Sequence, residues 1–509
     1  MNLISESDSP TPQFPEDSGY PLYASAPITG SPSSKKVAFI TLGCKLNQSE
    51  TEGIADAFRL SGFSVEQTAH HADIVIVNTC AVTSKAEQKA RRLLRFFLKS
   101  NQKASFVVSG CYAQLKKNEI ENIETEDRTL SAAYPGEKRL FVLSGDKKAR
   151  LIDIPRKLAL GARLCEILSQ AEERVGEGGQ AEVLLEKNQI DERFAFHPTR
   201  FSFHSRAVLK IQDGCDNKCA YCAVRLARGK SVSLPASQAL LRLKDIEEAG
   251  IAEVVLTGVN IGQYQDKELS ENRPAYGSGL AALLRHLLEG TSSIALRLSS
   301  LDGDVFNDEL FDVLSHPRIR PHFHLSIQSA SEKILSAMGR SYSAEQILAV
   351  INRLRLIKNN PFIACDMISA FPGESAEEFE KTLSFCDKAN FAWIHAFPFS
   401  PREGTEAYAL PGKVSEREAA LRVHELTRLA KDGRENYIKQ SLGGKFRAIR
   451  EEIKLQINGF FPALSENYLR LLIAVPENEK EPRCGEEFSC RITSLEGAPP
   501  RIDAFGVVL

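Results

Sequence analysis

Cys215, Cys219 and Cys222 carry the first chemical signal. They stand in the run Gln212-Asp213-Gly214-Cys215-Asp216-Asn217-Lys218-Cys219-Ala220-Tyr221-Cys222, a C-x3-C-x2-C triplet. Three soft thiolates in one short loop suit an iron–sulfur cluster. A cubane cluster has four irons, so three cysteines leave one iron without a protein ligand. An open iron can bind a small molecule, which points to a reaction site rather than a buried electron relay. The competing readings are a zinc site or three unrelated thiols. Structural zinc takes four ligands, usually as two separated pairs, and no fourth Cys or His lies in this loop.

A second set of thiols lies upstream. From residue 36 to about 150 the pattern alternates strand and helix, with apolar runs at Val37-Ala38-Phe39-Ile40, Ile74-Val75-Ile76-Val77 and Phe106-Val107-Val108. Short apolar runs separated by helical patterns predict parallel strands in a doubly wound α/β sheet. Each run leads into a cysteine: Cys44, Cys80 and Cys111. Ligand sites in such sheets lie outside the carboxyl ends of the strands, so these thiols can converge despite their separation in sequence. Three small buried hydrophobes are the plainer reading. Three in succession favour a second metal site, again with an open iron. After Cys80, Lys85, Lys89, Arg92, Arg95, Lys99 and Lys103 share one arc of a helix, with Ala86, Ala90, Leu93, Leu94 and Phe97 beside it. Such a stripe can meet phosphates or simply face solvent.

The elements that must position the triplet come next. Residues 206–438 hold six apolar runs with helical segments between them, which predicts a partial (β/α)6 barrel. The triplet follows the first run directly. Polar residues recur at later strand ends: Thr257 and Asn260, Ser299 and Ser300, Ser326 and Gln328, and Glu374. Functional groups of parallel barrels gather at that face. Residues 439–509 change to short β-like runs and predict a small β-barrel. Residues 151–205 look helical and then polar and read as a linker, and residues 1–35, rich in Ser and Pro, as a disordered extension.

With 509 residues the chain is too long for one core. Its 43% apolar and 26% charged content fits a folded soluble protein, and a net charge of −2 confines any basic surface to a local patch. Eleven cysteines in a chain this long fit a reducing compartment rather than a disulfide scaffold. Neither an apolar run long enough for a membrane span nor a secretory leader is visible. The reading is a cytoplasmic protein. Cys165, Cys365, Cys386, Cys484 and Cys490 read as core or incidental thiols.

The triplet with Tyr221 before its last cysteine resembles the radical S-adenosylmethionine (SAM) signature. Together with Thr41-Leu42-Gly43-Cys44-Lys45-Leu46-Asn47-Gln48, Asn78-Thr79-Cys80, Ala227-Arg228-Gly229 and Gln328-Ser329-Ala330-Ser331, it resembles the methylthiotransferase family over residues 36–509. The last segment is similar to that family's TRAM domain, an RNA-binding module. The resemblance implies that Cys215, Cys219 and Cys222 hold a [4Fe-4S] cluster whose open iron chelates SAM. Its reduction would cleave SAM to a 5′-deoxyadenosyl radical. Cys44, Cys80 and Cys111 would hold an auxiliary [4Fe-4S] cluster carrying the sulfur. Tyr221, Thr257, Asn260, Ser299, Ser326, Gln328 and Glu374 become the candidate cofactor contacts. The implied partners are a tRNA anticodon loop, a reductant and a sulfur donor, with no membrane.

Gly43-Cys44-Lys45-Leu46-Asn47 is similar to the branch that acts on C2 of N6-threonylcarbamoyladenosine at position 37 of tRNA. The isopentenyladenosine branch usually has Gln and Met at the positions of Lys45 and Leu46. The branch acting on a ribosomal-protein aspartate has Pro-Lys-Asn after its cysteine. The alternatives are those two substrates, or a non-enzymatic iron–sulfur RNA-binding protein. Three departures from the family pattern stand out: Ala330 at a usual Gly, Ser369-Ala370 where Val-Gly is common, and Arg225-Leu226 where Pro-Tyr is usual.

Overall fold

The computed structural model describes residues 35–66, 68–126, 138–173, 190–198, 206–270, 276–452, 459–476, 479–495 and 502–509. The extension expected over residues 1–35 lies, except for Lys35, outside the described residues.

Strands β1 (Lys36–Thr41), β2 (Ser64–Glu66), β3 (Ile74–Thr79), β4 (Ser105–Gly110) and β5 (Leu140–Val142) form one sheet in the order β2-β1-β3-β4-β5, parallel throughout. Strand β3 is buried along its whole length because both faces of the sheet are covered. On one face the helix Ser84–Ser100 lays Ala90, Leu94 and Leu98 against Val75, Val77, Phe106 and Val108. Those three residues recur every four positions, which keeps them on one side of a helix. Thr83 starts the helix: its hydroxyl accepts from the Ala86 amide at 3.2 Å. On the other face, Ile54 and Phe58 of the helix Lys45–Leu60 pack with Ile154, Ile167 and Leu168.

Two expectations change here. The basic stripe is shorter than its sequence pattern, since the helix ends at Ser100 and Lys103 lies in the loop beyond. Lys85, Arg92, Arg95 and Lys99 remain exposed on it. The stretch 151–205 is not a plain linker where it is described. The helices Ile154–Ala159 and Leu164–Glu173 and the residue Phe196 belong to the core of the first sheet. Their apolar residues are few and widely spaced, so the polar stretch after them dominated the composition.

The second unit is the predicted barrel. It is built from β6 (Ala207–Lys210), β9 (Glu253–Thr257), β10 (Ala295–Leu298), β12 (His322–Gln328), β13 (Phe362–Ser369) and β14 (Trp393–Pro398). Between them sit short strands β7 (Gln212–Asp213), β8 (Val232–Ser233) and β11 (Leu301–Asp302). The order is β6-β9-β10, a bridge from Leu296 to Ile319, then β11-β12-β13-β14. Strands β6 and β14 do not pair, so the barrel stays open there. Beside this gap the helix Lys45–Leu60 of the first unit lies against β6, where the Ser49 hydroxyl donates to the Val208 carbonyl at 3.4 Å.

The third unit is a closed barrel of β15 (Lys445–Arg450), β16 (Phe460–Ser465), β17 (Arg470–Ala474), β18 (Glu487–Ser494) and β19 (Ala504–Val508), ordered β15-β16-β17-β19-β18. Its β16–β17 turn places Tyr468 at the amino ends of the β/α barrel strands. There its ring lies 4.2 Å from that of His322 and 5.9 Å from that of Phe362, centroid to centroid. Tyr468 thus floors the larger barrel. Arg297 also stands over the Tyr468 ring, 5.3 Å from its centroid. Around it Glu253 accepts from Arg297 at 2.7 and 2.9 Å and from Arg320 at 2.8 Å, and Arg320 also meets Glu487 of β18. Three of the four charged groups at this seam are nearly inaccessible, and each is paired, as buried charges must be.

A candidate pair of cysteine centres

Cys44, Cys80 and Cys111 follow β1, β3 and β4, which are neighbours in the first sheet. Each therefore emerges at the same carboxyl edge. The backbone around them is set by hydrogen bonds from the flanking motif residues. Asn47 donates to the carbonyls of Leu42 at 2.8 Å and Thr79 at 3.1 Å, while Asn78 donates to the Asn47 carbonyl at 3.0 Å. Thr79 donates to the Ser109 carbonyl at 2.6 Å. One network thus spans all three strand ends. Gly43 has φ +105°, and a Cβ there would come within 2.8 Å of the Cys80 sulfur. Only glycine lets Cys44 and Cys80 approach in this way. Burial, with Cys44 and Cys111 beside it, pushes the Cys80 thiol up to about 12.

Cys215, Cys219 and Cys222 lie above the carboxyl end of β6, all half-buried. Gly214 holds the turn before them at φ +69°; its would-be Cβ meets the Lys230 carbonyl at 2.0 Å. Gln212 donates to the carbonyls of Asp213 at 3.1 Å and Gly214 at 2.7 Å, and its own carbonyl accepts from the Asn260 amide at 2.9 Å. Burial pushes the Cys222 thiol up to about 11, with Cys219 and Cys215 adding to it after a backbone amide opposes it. In both groups the sulfurs are close enough to sense one another. Yet no three His, Cys, Asp or Glu among the described residues converge as a single metal ion requires. Each group offers three thiols, the soft donors that a four-iron cluster takes, so the donor sets fit it.

Arg228 joins the two centres. It closes the short helix Val224–Arg228 that begins two residues after Cys222, and its side chain crosses into the first unit. It donates to the Cys111 sulfur at 3.3 Å, to Asn47 at 2.7 Å, to Glu50 at 2.9 Å and to Asp213 at 3.1 Å. Glu50 also receives Lys148 at 2.7 Å and Lys210 at 2.8 Å. Burial alone would push the Glu50 carboxyl up, but Arg228, Lys148 and Lys210 hold it well below the carboxylate range. Three cations (Arg228, Lys148, Lys210) face two carboxylates (Glu50, Asp213), leaving one positive charge beside Cys111. That surplus suits an anionic sulfur there. A second tie runs from the helix Ser84–Ser100, where Ser84 meets Ser400 at 2.9 Å and Glu87 meets Arg402.

The expected cofactor contacts divide. Asn260 donates to Asp302 at 2.7 Å, Arg340 donates to Asp302 at 2.8 Å, and Arg340 also donates to the Tyr221 hydroxyl at 2.7 Å. One chain of bonds thus links Asn260, Asp302, Arg340 and Tyr221 beneath the triplet. Thr257 ends β9, and Ser299 follows the last residue of the adjacent β10. The Ser299 hydroxyl is buried with no partner among the described residues. Ser326 is half-buried on the barrel side of β12, and Gln328 ends that strand at φ +72°. Glu374 stands apart: its carboxylate is taken by the Ala370 amide at 2.6 Å and Arg422 at 2.7 Å, so it shapes the loop after β13.

The departures from the family pattern have different consequences. Ala330 keeps ordinary negative φ and its amide donates to the Thr382 hydroxyl at 3.2 Å, so a methyl group is accommodated. Ala370 instead has φ +61°. Left-handed backbone costs a side-chain-bearing residue about 1–2 kcal/mol, against about 0.5–1 kcal/mol of extra unfolded-state entropy for glycine. Ala370→Gly is therefore expected to stabilise the protein by a few tenths to about 1 kcal/mol. The urea midpoint of unfolding measures it, and an unchanged or lower midpoint would contradict the strain.

Sequence reasoning named the cysteines but missed the charges between them. Glu50 and Asn47 sit one turn apart on the helix after Cys44, a spacing that puts both on one face.

Residues 36–131 match the family model described as uncharacterized protein family UPF0004, and residues 209–386 match that of the radical SAM superfamily. The threonylcarbamoyladenosine tRNA methylthiotransferase MtaB of Treponema pallidum (strain Nichols) is 36% identical over 469 residues, covering 85% of this chain and 93% of that protein. Its counterpart of the same name from Thermotoga maritima is 32% identical, covering 91% and 95%. A tRNA-2-methylthio-N(6)-dimethylallyladenosine synthase of Thermotoga petrophila is 31% identical over 373 residues, covering 72% and 75%.

Proposed function

We infer the activity from one premise: this chain belongs to the radical SAM tRNA methylthiotransferase family. It transfers a methylthio group to tRNA, and its cofactors are SAM and [4Fe-4S] clusters. The base it modifies is N6-threonylcarbamoyladenosine at position 37, at C2. The observation that supports this choice is the match itself. The relative named for that base reaches 36% identity over 93% of its length, against 31% over 75% for the dimethylallyladenosine enzyme.

Cys215, Cys219 and Cys222 hold the cluster that binds SAM, and Cys44, Cys80 and Cys111 hold a second. Together, a reduced cluster and SAM supply a radical able to take hydrogen from an unactivated carbon. The chain's own residues position and shield that chemistry. Arg340, braced by Asp302, holds Tyr221 and the triplet loop in place. Ser299 keeps a buried, unpartnered hydroxyl just past the end of β10, where a small rotation would turn it to a ligand. Arg228 keeps the two thiol groups in one frame, so the sulfur to be transferred and the activated carbon share a site. The anticodon loop offers an unstacked base that a protein pocket can receive, and the exposed Arg92 and Arg95 offer charge to its phosphates. No helix among the described residues is long and apolar enough to cross a membrane. Its place is the cytoplasm, where its tRNA is.

Mass spectrometry of tRNA nucleosides from a deletion strain tests the substrate. Methylthio-threonylcarbamoyladenosine should vanish and return on complementation. Its persistence, with loss of the methylthio-isopentenyl nucleoside instead, would move the enzyme to the other branch.

A further inference from the structure

The β/α barrel has an inverted interior. On β12, β13 and β14 the residues facing the helices are buried: Phe323, Leu325, Ile327, Cys365, Met367 and Ile394. Facing the axis, His322, Phe362 and Ala364 are buried near the floor, whereas above them His324, Ser326, Asp366, Ile368, Trp393, His395 and Phe397 are open in part or in full. A barrel core is normally packed with branched apolar side chains. This one is a polar cleft that solvent enters.

Lys45 projects into its lower half. The residue directly follows Cys44, and its ammonium lies 5.9 Å from the centroid of Tyr468 on the barrel floor. The barrel wall around the His395 ring, then the charges of His324 and Lys45, hold its imidazole below the usual range, against Asp366. Lys45 is thus among the lumen residues. Among the described residues it has no hydrogen bond and no ion pair. The carboxylates of the barrel floor and wall are engaged elsewhere. Glu253 receives Arg297, Arg320 and Arg206. Asp366 is bonded to His324 at 3.0 Å, and that histidine's other nitrogen meets Ser300 at 3.2 Å. An ammonium drawn out of bulk water without an acceptor is unfavourable. The Lys45 ammonium faces the Tyr468 ring, whose hydroxyl it holds at about 8 against burial, and has no carboxylate of its own, so it can receive an anion.

We propose that Lys45 binds the carboxylate of the threonylcarbamoyl group when the target base enters the barrel, and that it sets substrate choice. This rests on the substrate reading above. The adenine needs to approach the cysteine centres at the barrel mouth, so its N6 substituent is the part that extends down the lumen. A threonylcarbamoyl group ends in a carboxylate and carries a hydroxyl; Lys45 answers the first, and the His324–Asp366 and His395 edges of the wall can answer the second. An isopentenyl group satisfies none of these and would leave the ammonium desolvated and unpaired. Lys45 therefore selects by rejection as well as by attraction.

The test is equilibrium binding of cluster-loaded enzyme to three synthetic anticodon stem-loops, bearing threonylcarbamoyladenosine, isopentenyladenosine or plain adenosine. The wild type should favour the first. Lys45→Met should lose about tenfold to a hundredfold of that preference while binding the adenosine loop as before, with iron absorbance confirming that the clusters are in place. Lys45→Arg should keep most of the preference. Lys45→Glu should reverse it, binding the carboxylate-bearing loop more weakly than the adenosine loop, a change of sign that general damage to the fold does not produce. A preference that survives Lys45→Met, or a loss equal for all three loops, overturns the role of Lys45 alone. No preference in the wild-type enzyme overturns both this role and the substrate assigned above.

Discussion

Cys80→Ser enzyme is expected to go on releasing 5′-deoxyadenosine from SAM while making no methylthiolated nucleoside, whereas Cys219→Ser enzyme is expected to do neither. The asymmetry follows from the separation of the two thiol groups. Cys80 lies at the end of β3 in the first sheet, and Cys219 lies in the loop after β6 of the barrel. The two loops share no direct bond; Arg228 connects them through Cys111, Asn47 and Asp213. Loss of a partner outside the metal's own ligands typically costs about 10–100-fold in affinity or activity. Loss of a ligand should exceed that, so each abolished product should fall below about one hundredth of wild type. Chromatography of 5′-deoxyadenosine alongside mass spectrometry of the RNA product reads both at once. Equal loss of both products in Cys80→Ser would mean that the first unit does not house a separate centre.

Glu50→Gln is expected to be the most damaging change outside the cysteines. The Glu50 carboxylate accepts from Arg228, Lys148 and Lys210, and its side chain is 2% exposed. Without its charge, three buried cations face Asp213 alone. Removing one partner of a buried ionic group leaves the rest uncompensated and costs about 3–5 kcal/mol, whereas an exposed pair such as Arg353–Asp308 contributes about 0–1 kcal/mol. Because Glu50 belongs to the first unit and Lys210, Asp213 and Arg228 to the barrel, the loss falls on their junction. The urea midpoint should drop, and limited proteolysis should cut between the units sooner than in wild type. An unchanged midpoint would show that the network is replaced by water without penalty.

Much of this was visible in the chain before its fold. Cys44, Cys80 and Cys111 are far apart in sequence, but each ends an apolar run, and the parallel-sheet rule brings such ends to one edge. The barrel was legible for the same reason: six strands with a buried, helix-facing side leave six apolar runs. What escaped was whatever depends on faces rather than runs. His322, His324, Asp366 and His395 sit at alternate positions in strands whose intervening residues are mostly apolar, and an apolar count passes over them. Their meaning appears only when the barrel shows which side is the lumen. Glu50 was hidden similarly, as a charged residue in a polar helix whose surroundings come from another unit. Glu374 was placed by its strand-end position alone, and its own loop and Arg422 occupy it. The stretch over residues 151–173 was read by its polar neighbours, although its few apolar side chains complete the first core.

Tyr468 has one more implication. By stopping the lower end of the barrel it leaves the lumen with its mouth at the cysteine end, and an anticodon loop delivering its base would sit across that mouth. With the floor stopped, SAM would have to enter from the mouth or through the gap between β6 and β14, so RNA seated on the mouth would leave that gap as the way past it. An aromatic ring at the foot of the barrel would thus shape the order in which the two substrates bind.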